Sequence, residues 1–522
     1  MGSRSGRWLI LLLAAATVWG FLDVRRRGYP HPERPEEHRT DFTVYTEAGA
    51  AFFDGRNPYE VANPRGWTYL YPPLFALLVA PLHPLQMQNQ VMVWFFLSLL
   101  FCWGCYRECR RIVMIVCDED PHVRAAWTRW RPWLGIAAVT AAALPTLNCL
   151  QRGQVGIVKM YLLLLGLRVI LGGRSFRAWL LGGIVLALPV VLKIVPALPV
   201  GFLLFLGLAE WAWSWRKGTE EVVGETTSTA GAIVPTTSSV PLRCGTRFAS
   251  STLGFSLGLL LFFLVVPAML VGWTANLHHL DTWGRFMLTK ADDGGMDPRS
   301  GNSHTTRNQS LQNAAYRLGN FGSHLFAGGP DDRLVENFDA PKMAMDSAAV
   351  DEFLFVARGL LALALLALGL RLARQPGSKL NTATGFALAC VTMLAVSPVA
   401  RAHYFLLLAP AILLVPLWLD RHGRPRAGVI MAAILPPLSV LHYALLPYGD
   451  RIGLLGFGTA AWLMAAMVLI ARADWKTVRA AQEERTTVIL AHRLAGRHAP
   501  RPSLITVQRA SPPPLPVSSA NP

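Results

Sequence analysis

Charge is scarce in this sequence: only 16% of its 522 residues are Asp, Glu, Lys or Arg, where a soluble chain has about a quarter. Hydrophobic residues make up 52%, and long apolar runs recur between residues 8 and 471. Together these exclude a soluble enzyme and a disordered chain. Cysteine is also sparse, with seven in all. Cys102, Cys105, Cys109 and Cys117 lie near one helix end and a basic loop, while Cys149, Cys244 and Cys390 are scattered. No disulfide framework fits that spacing, and the Cys102-x-x-Cys105 pair has no second pair or His partner at zinc-ligand spacing. Buried free thiols are the better reading, and no metal ligands are assigned. Acidic residues are short as well: 49 Lys+Arg face 32 Asp+Glu, a net charge of +17. That excess invites a nucleic-acid reading, which the position of the charges must decide. No fixed-period repeat is visible.

What the chain does have is spans. Crossing the hydrocarbon core takes about 20 apolar residues, with a range of roughly 17–25. Candidates lie at 8–22, 91–106, 132–147, 155–171, 179–191, 197–215, 251–271, 353–370, 381–396, 403–419, 427–446 and 452–471. The first is short enough for a signal peptide, but no small-residue cleavage site follows and Arg25–Arg27 come next, so it reads as a retained span. The Pro-bounded stretch 71–85 fits an interfacial segment better than a crossing.

The distribution of basic residues supports that choice. If 71–85 does not cross and the N-terminus is cytoplasmic, the cytoplasmic segments hold about 29 Lys/Arg and about 11 acids, as the positive-inside rule expects. The outer face then balances at about 18 of each. The charge is thus a topology signal and not a nucleic-acid footprint. The expectation is an all-α polytopic protein of about twelve spans, with both ends cytoplasmic, occupying residues 1–472. Outer loops fall at 23–85 and 272–350, a flexible cytoplasmic loop at 216–250, and a basic, Pro/Ser-rich tail, expected to be disordered, at 473–522.

The first outer loop is the richest in chemistry. Residues 41–55 read as a helix stopped by Gly55, with Phe42, Tyr45, Ala48/Gly49 and Phe52 on one face. It is expected to lie on the membrane, apolar face down. Asp41 opens it, where a carboxylate meets free N–H groups, so an ordinary N-cap is one reading of that residue. Tyr69-Leu70-Tyr71-Pro72-Pro73-Leu74 gives an extended entry into a short helix. Its tyrosines fit an aromatic belt or the wall of a polar cleft.

Polar clusters also end several spans on the same outer side. They are Asn148–Gln154, Lys193 between Pro189 and Pro196, and Ser397–Tyr404 with Arg401 and His403. Ionisable groups there are costly unless they pair or face a polar cavity. Snorkelling explains any one of them, and an anion site explains all three. Asn308-Gln309-Ser310 fits a glycosylation acceptor or a loop bonding to sugar hydroxyls.

In this order and sidedness the motifs resemble glycosyltransferase family 87 of the GT-C superfamily. The resemblance runs from Asp41 to about Leu419. It rests on the acidic loop start, Gly55-Arg56-Asn57-Pro58-Tyr59, Tyr69–Leu74, Gly153-Gln154, Lys193-Ile194-Val195-Pro196, Asn308-Gln309-Ser310-Leu311, Ser397-Pro398 and His403-Tyr404. Val155 stands where a polar residue usually follows Gly-Gln, and Arg401-Ala402-His403 where a Trp and a His pair are usual.

The resemblance implies a GT-C-like fold and transfer of a hexose, mannose or similar, from a polyprenyl-phosphate donor to a glycan or glycolipid acceptor at the outer face of the cell membrane. It implies membrane lipid as a partner, no nucleic acid, and no nucleotide or pyridine cofactor. Asp41 matches the family's catalytic acid, placed to act as general base in an inverting displacement. Lys193, Arg401 and His403 would hold the donor phosphate, with Tyr45, Tyr71, Gln154, Asn308 and Gln309 lining the substrates. The rival readings are a twelve-span secondary transporter, against which stands the lack of an inverted repeat, and a lipid-linked sugar ligase.

Overall fold

Inside hydrocarbon every backbone N–H and C=O must be paired within its own segment or across a closed sheet, and the apolar runs of this chain all satisfy that rule as helices. The computed structural model describes residues 15, 17–225, 239–292, 309–311, 347–397, 399–446, 449 and 452–473. Most of the first expected span's N-terminal half, the stretch 226–238, most of the second outer loop with Asn308, and the tail from 474 lie outside the described residues.

In chain order the helices are α1 (17–27), α2 (Phe42–Phe53), α3 (Pro73–Val79), α4 (Met87–Glu119), α5 (Pro121–Arg152), α6 (Gly156–Gly172), α7 (Phe176–Leu192), α8 (Ala197–Glu225) and α9 (Ser239–Leu260). They continue with α10 (Val266–Val271), α11 (Trp273–Asp292), α12 (Ser347–Leu372), α13 (Lys379–Val396), α14 (Leu408–Arg421), α15 (Pro425–Ala444) and α16 (Leu454–Ala471). Among the described residues the only β pairing is an isolated bridge between Ala62 and Thr68. Nine helical stretches among the described residues are long and apolar enough to cross a membrane. Two more, α6 and α7, are 17 residues each, about 25 Å at the helical rise.

α8 runs on to Glu225 and α9 starts at Ser239, so the described parts of segment 216–250 are helical. The stretch that was ambiguous in the sequence is α3 plus a 3-10 turn, Ala80–Leu82, too short to cross.

α13 and the stretch Ala402–Arg421, which contains α14, are almost wholly buried, with α4, α5, α8, α12, α15 and α16 packed around them. The tightest pairing is α7 on α9, where Gly183 and Gly254 bring backbone against backbone and a Cβ on Gly258 would sit 3.0 Å from Ile184 Cα. Small residues of this kind let membrane helices approach closely.

The bundle's two ends differ. At one end acids are matched: buried Glu108 pairs with Arg168 and Arg111, buried Glu210 with Arg247 and Thr382, and half-buried Asp120 with Arg421. The other end gathers α2, α3, the C-ends of α5 and α7, and the 3-10 turn Ala402–Leu407.

One expectation is corrected. The apolar face of α2 is not left to lipid: Phe42, Tyr45, Ala48 and Phe52 are all buried against protein. Phe42 stacks on Trp94 of α4 with centroids 4.9 Å apart, and Gly49 has no room for a Cβ, which would meet Ala76 O of α3 at 2.5 Å. Periodicity marked the face correctly; its partner is α3 and α4.

Candidate functional site

The site is built on the end of α5. Gly153 closes that helix in the left-handed region, φ +63°, a conformation that favours glycine. A Cβ here would also lie 2.7 Å from Phe42 Cβ and 2.9 Å from Thr40 Oγ1, so the loop before α2 rests directly on the helix end. Two bonds fix that seat: Asp41 N–H donates to Arg152 O at 2.8 Å and Thr40 Oγ1 to the same oxygen at 3.4 Å. Asn63 ties the hairpin 57–71 to it, donating to Thr40 O and Thr43 Oγ1, both at 3.2 Å. His38 Nε2 lies 2.7 Å from Thr43 Oγ1, and burial pulls the pKa of this imidazole below the ordinary histidine range.

Asp41 sits at the N-cap position, yet its carboxylate makes no cap bond. Thr40 Oγ1 accepts the Phe42 N–H instead, at 3.2 Å. The capping role considered for Asp41 is therefore filled by its neighbour. Asp41 Oδ1 is buried and has no hydrogen-bond partner among the described residues. Its nearest ion pair is Arg152 Nη2 at 3.8 Å, with both side chains about 15% exposed.

The cationic side is assembled from three elements. α7 ends at Lys193, whose extended backbone (φ −166°, ψ 120°) turns it out of the helix. Its Nζ donates to Tyr71 Oη at 3.0 Å and to Tyr404 Oη, and lies 4.6 Å from the centroid of each ring. Lys159 of α6 reaches the Tyr404 ring too, 4.9 Å from its centroid. Tyr45 packs on Tyr71 at 5.7 Å, and burial, then Tyr71, push the Tyr45 phenol well above its ordinary pKa. Arg401 is drawn below the usual arginine range by burial and by Arg152, while Asp41 opposes this. His403 is buried with neither ring nitrogen bonded among the described residues, and the charges of Arg152, Lys193, Arg401 and Lys159 all reach it.

Gln154 is buried next to Gly153, its N–H bonded to Cys149 O at 3.0 Å. Gln309 is buried as well, and its N–H donates to Ala400 O at 2.7 Å. Gln309 thus meets the stretch that carries Arg401. Asn308 lies outside the described residues.

The structure therefore gathers Asp41, Tyr45, Tyr71, Gln154, Lys193, Arg401, His403 and Gln309 at one end of the bundle. The sequence reading assigned no role to Arg152, Tyr404 or Lys159. Lys159 was visible in principle, as a cation inside an otherwise apolar run. Among the described residues no three His, Cys, Asp or Glu side chains are grouped to hold a metal ion.

Comparison with known proteins adds to this geometry. The profile of Glycosyltransferase family 87 matches residues 69–219, which include Tyr71, Arg152, Gly153, Gln154 and Lys193 but not Asp41, Gln309, Arg401 or His403. A curated relative from Mycobacterium tuberculosis, described as a polyprenol-phosphate-mannose-dependent alpha-(1-2)-phosphatidylinositol mannoside mannosyltransferase, is 29% identical over 220 residues. The alignment covers 39% of this chain and 47% of the relative, so the chain spans about half the length of the protein it matches. No solved structure matches. Residues 69–219 of this multi-pass helical membrane protein thus resemble Glycosyltransferase family 87.

Proposed function

We propose that this chain is a membrane glycosyltransferase that moves a hexose, mannose or a close analogue, from a polyprenyl-phosphate donor to an acceptor hydroxyl, with Asp41 as general base and inversion at the anomeric carbon. The observation that carries the reading is the Asp41 carboxylate. Its Oδ1 is buried and unbonded among the described residues, and the group is released from capping by Thr40, set beside Arg152 and within the field of Arg401. The match to family 87 and the donor named for the mycobacterial relative support the reaction class.

The acceptor oxygen bonds to the anomeric carbon as the carbon–oxygen bond to phosphate breaks, and the hydroxyl proton passes to Asp41. The leaving group is a lipid phosphate, already anionic, so it needs cations and hydroxyl donors and no carboxylic acid. Lys193 with the Tyr71 and Tyr404 hydroxyls, together with Arg401 and His403, supplies them in a preorganised array. Tyr45, Gln154 and Gln309 then face the sugar and the acceptor. A polyprenyl-phosphate-linked sugar donor, a glycan or glycolipid acceptor and membrane lipid are the partners this chemistry requires.

The same reading places the site on the outer face, with both termini cytoplasmic. It counts twelve spans: the nine long ones, α6, α7, and the helix to which α1 belongs. Support comes from the basic segments near Arg107–Arg131 lying at the end opposite Asp41.

The test uses purified protein in lipid nanodiscs with polyprenyl-phosphate-mannose and a mixed glycolipid acceptor. Asp41→Asn is expected to lower turnover by about 10²–10⁴-fold, the usual worth of a general base, with donor binding retained. Thr40→Ala, which removes the cap and the long bond to Arg152 O but leaves the Asp41 N–H bond to that oxygen, is expected to cost stability of about 1 kcal/mol and leave turnover within a few fold. Full turnover by a folded Asp41→Asn protein would falsify the assignment. Solute accumulation in vesicles without sugar transfer would favour the transporter reading instead.

A further inference from the structure

Arg152 touches both halves of the site. Its backbone carbonyl accepts from Asp41 N–H and Thr40 Oγ1, and its guanidinium lies 3.8 Å from Asp41 Oδ1. The same guanidinium lies over the Trp67 ring, 5.4 Å from its centroid. Its charge also reaches Arg401 and, first among the charged neighbours, His403. It follows directly before the left-handed Gly153, so its backbone is fixed by the end of α5 while its side chain crosses to the α2 loop. A pair at 3.8 Å is an ion pair without a tight hydrogen bond. Such an arginine is held near the carboxylate yet keeps donors available for a second anion.

We infer that Arg152 is the positioning residue of this site: it holds Asp41 in place at rest and turns its free donors toward the donor phosphate when that phosphate arrives, coupling donor binding to release of the base. This inference rests on the function proposed above and adds a residue and an order of events to it. Binding of a phosphate beside Arg401 and His403 gives Arg152 a second anion to neutralise. Its hold on Asp41 then weakens, and the carboxylate becomes the stronger proton acceptor at the moment the sugar is in place. Without donor, the base stays engaged, which guards the site against taking a proton unproductively. The Trp67 ring, which Arg65 also approaches at 4.6 Å, weakly favours a swing of the guanidinium across its face.

The groups facing Asp41 from its surroundings are Arg152 at the end of α5, Arg401 before the 3-10 turn, His38 in the preceding loop and Tyr45 on α2. Removing Arg152 takes away the nearest cation, so the acid limb of the kcat/KM profile, set by protonation of the base, moves to higher pH.

The experiment compares wild type, Arg152→Gln, Arg152→Lys, Asp41→Asn and the double variant Arg152→Gln/Asp41→Asn in nanodiscs. Turnover is measured from pH 5 to 9, with donor KM, and each protein is first checked for a monodisperse elution and a cooperative unfolding transition. Expected is a fall of 10-fold or more in kcat/KM for Arg152→Gln, a raised donor KM and an acid limb displaced upward, with Arg152→Lys restoring the limb. At saturating donor the double variant is expected to have a kcat no lower than that of Asp41→Asn alone, since the effect of Arg152 on kcat runs through Asp41, while its raised donor KM persists. An unshifted acid limb in Arg152→Gln, or kcat losses that multiply in the double variant, overturns the inference while leaving the base assignment intact. Full activity of Asp41→Asn instead overturns the proposed function itself, so the two failures are distinct. If Arg152→Gln does not fold, the Arg152→Lys profile decides: a wild-type limb with a changed donor KM supports the inference, and a limb and KM both unchanged overturn it, because lysine cannot reproduce the forked contact.

Discussion

Replacing Gly153 with alanine tests whether the seat under α2 sets the chemistry. Two penalties are separable. An alanine at φ +63° sits in the left-handed region at a cost of about 1–2 kcal/mol. Its Cβ would also lie 2.7 Å from Phe42 Cβ, where ordinary contact begins near 3.4 Å. The start of α2 must therefore withdraw by about 0.7 Å, at an overpacking cost of about 1–3 kcal/mol. Asp41 precedes Phe42 and is bonded to Arg152 O, so the carboxylate shifts with it. A misplacement near 1 Å in a reacting group costs about 10²-fold in rate, so a drop of about 10–100-fold in kcat is expected. Donor KM should stay close to wild type, because Lys193, Tyr71 and Tyr404 belong to other segments. Turnover with polyprenyl-phosphate-mannose and unfolding followed by tryptophan fluorescence are the readouts. Gly135→Ala is the control: it lies in the same helix with open space around it and is expected to leave rate unchanged and stability equal or higher. Wild-type kcat and unfolding midpoint in Gly153→Ala would refute the reasoning.

Two further outcomes follow from groups near the site. Lys159 is buried, with a ring and no carboxylate as its contact among the described residues, so Lys159→Met is expected to raise the unfolding midpoint while weakening donor use several-fold; lower stability with an unchanged donor KM would count against a role in the anion site. His38 is held below the ordinary histidine value of about 6.5. Its stabilising contribution is complete above that pH and is lost as pH falls toward its folded pKa, because the unfolded chain takes up the proton first. Unfolding midpoints at pH 5 and 7.5 should therefore differ less in His38→Gln than in wild type, and an unchanged difference would remove His38 from the account.

The spans were legible because their signal is local. Twenty apolar residues in sequence declare a crossing without knowledge of neighbours, and the stretch 71–85, set aside on its Pro boundaries, its shortness and the charge balance, holds only the seven-residue α3 and a 3-10 turn. Asp41 was legible as the acid that opens a helix, but its freedom was not. Only the folded chain puts Thr40 Oγ1 on the Phe42 N–H and leaves the carboxylate for other work. α2 shows the same limit. Its periodicity named the apolar face, while lipid and α3 are equally apolar partners on paper, and the close approach at Gly49 is a property of two segments together. Tyr404 escaped because its role depends on Lys193, 211 residues away, and no spacing within either segment encodes that meeting. Arg152 was seen as one of several polar residues in a span-ending cluster. Its importance comes from where the α2 loop lands.

The backbone contact between α7 and α9 has a consequence for motion. Where Gly183 and Gly254 set backbone against backbone, the two helices have little compliant layer through which one can slide past the other. Lys193 is the residue on which α7 ends, so its ammonium is mounted on a rail. Accommodation of a bulky substrate must then come from the opposite bank, the hairpin that carries Trp67 and the turn that carries Tyr404. The site is asymmetric in stiffness: one fixed charge against which the rest can close.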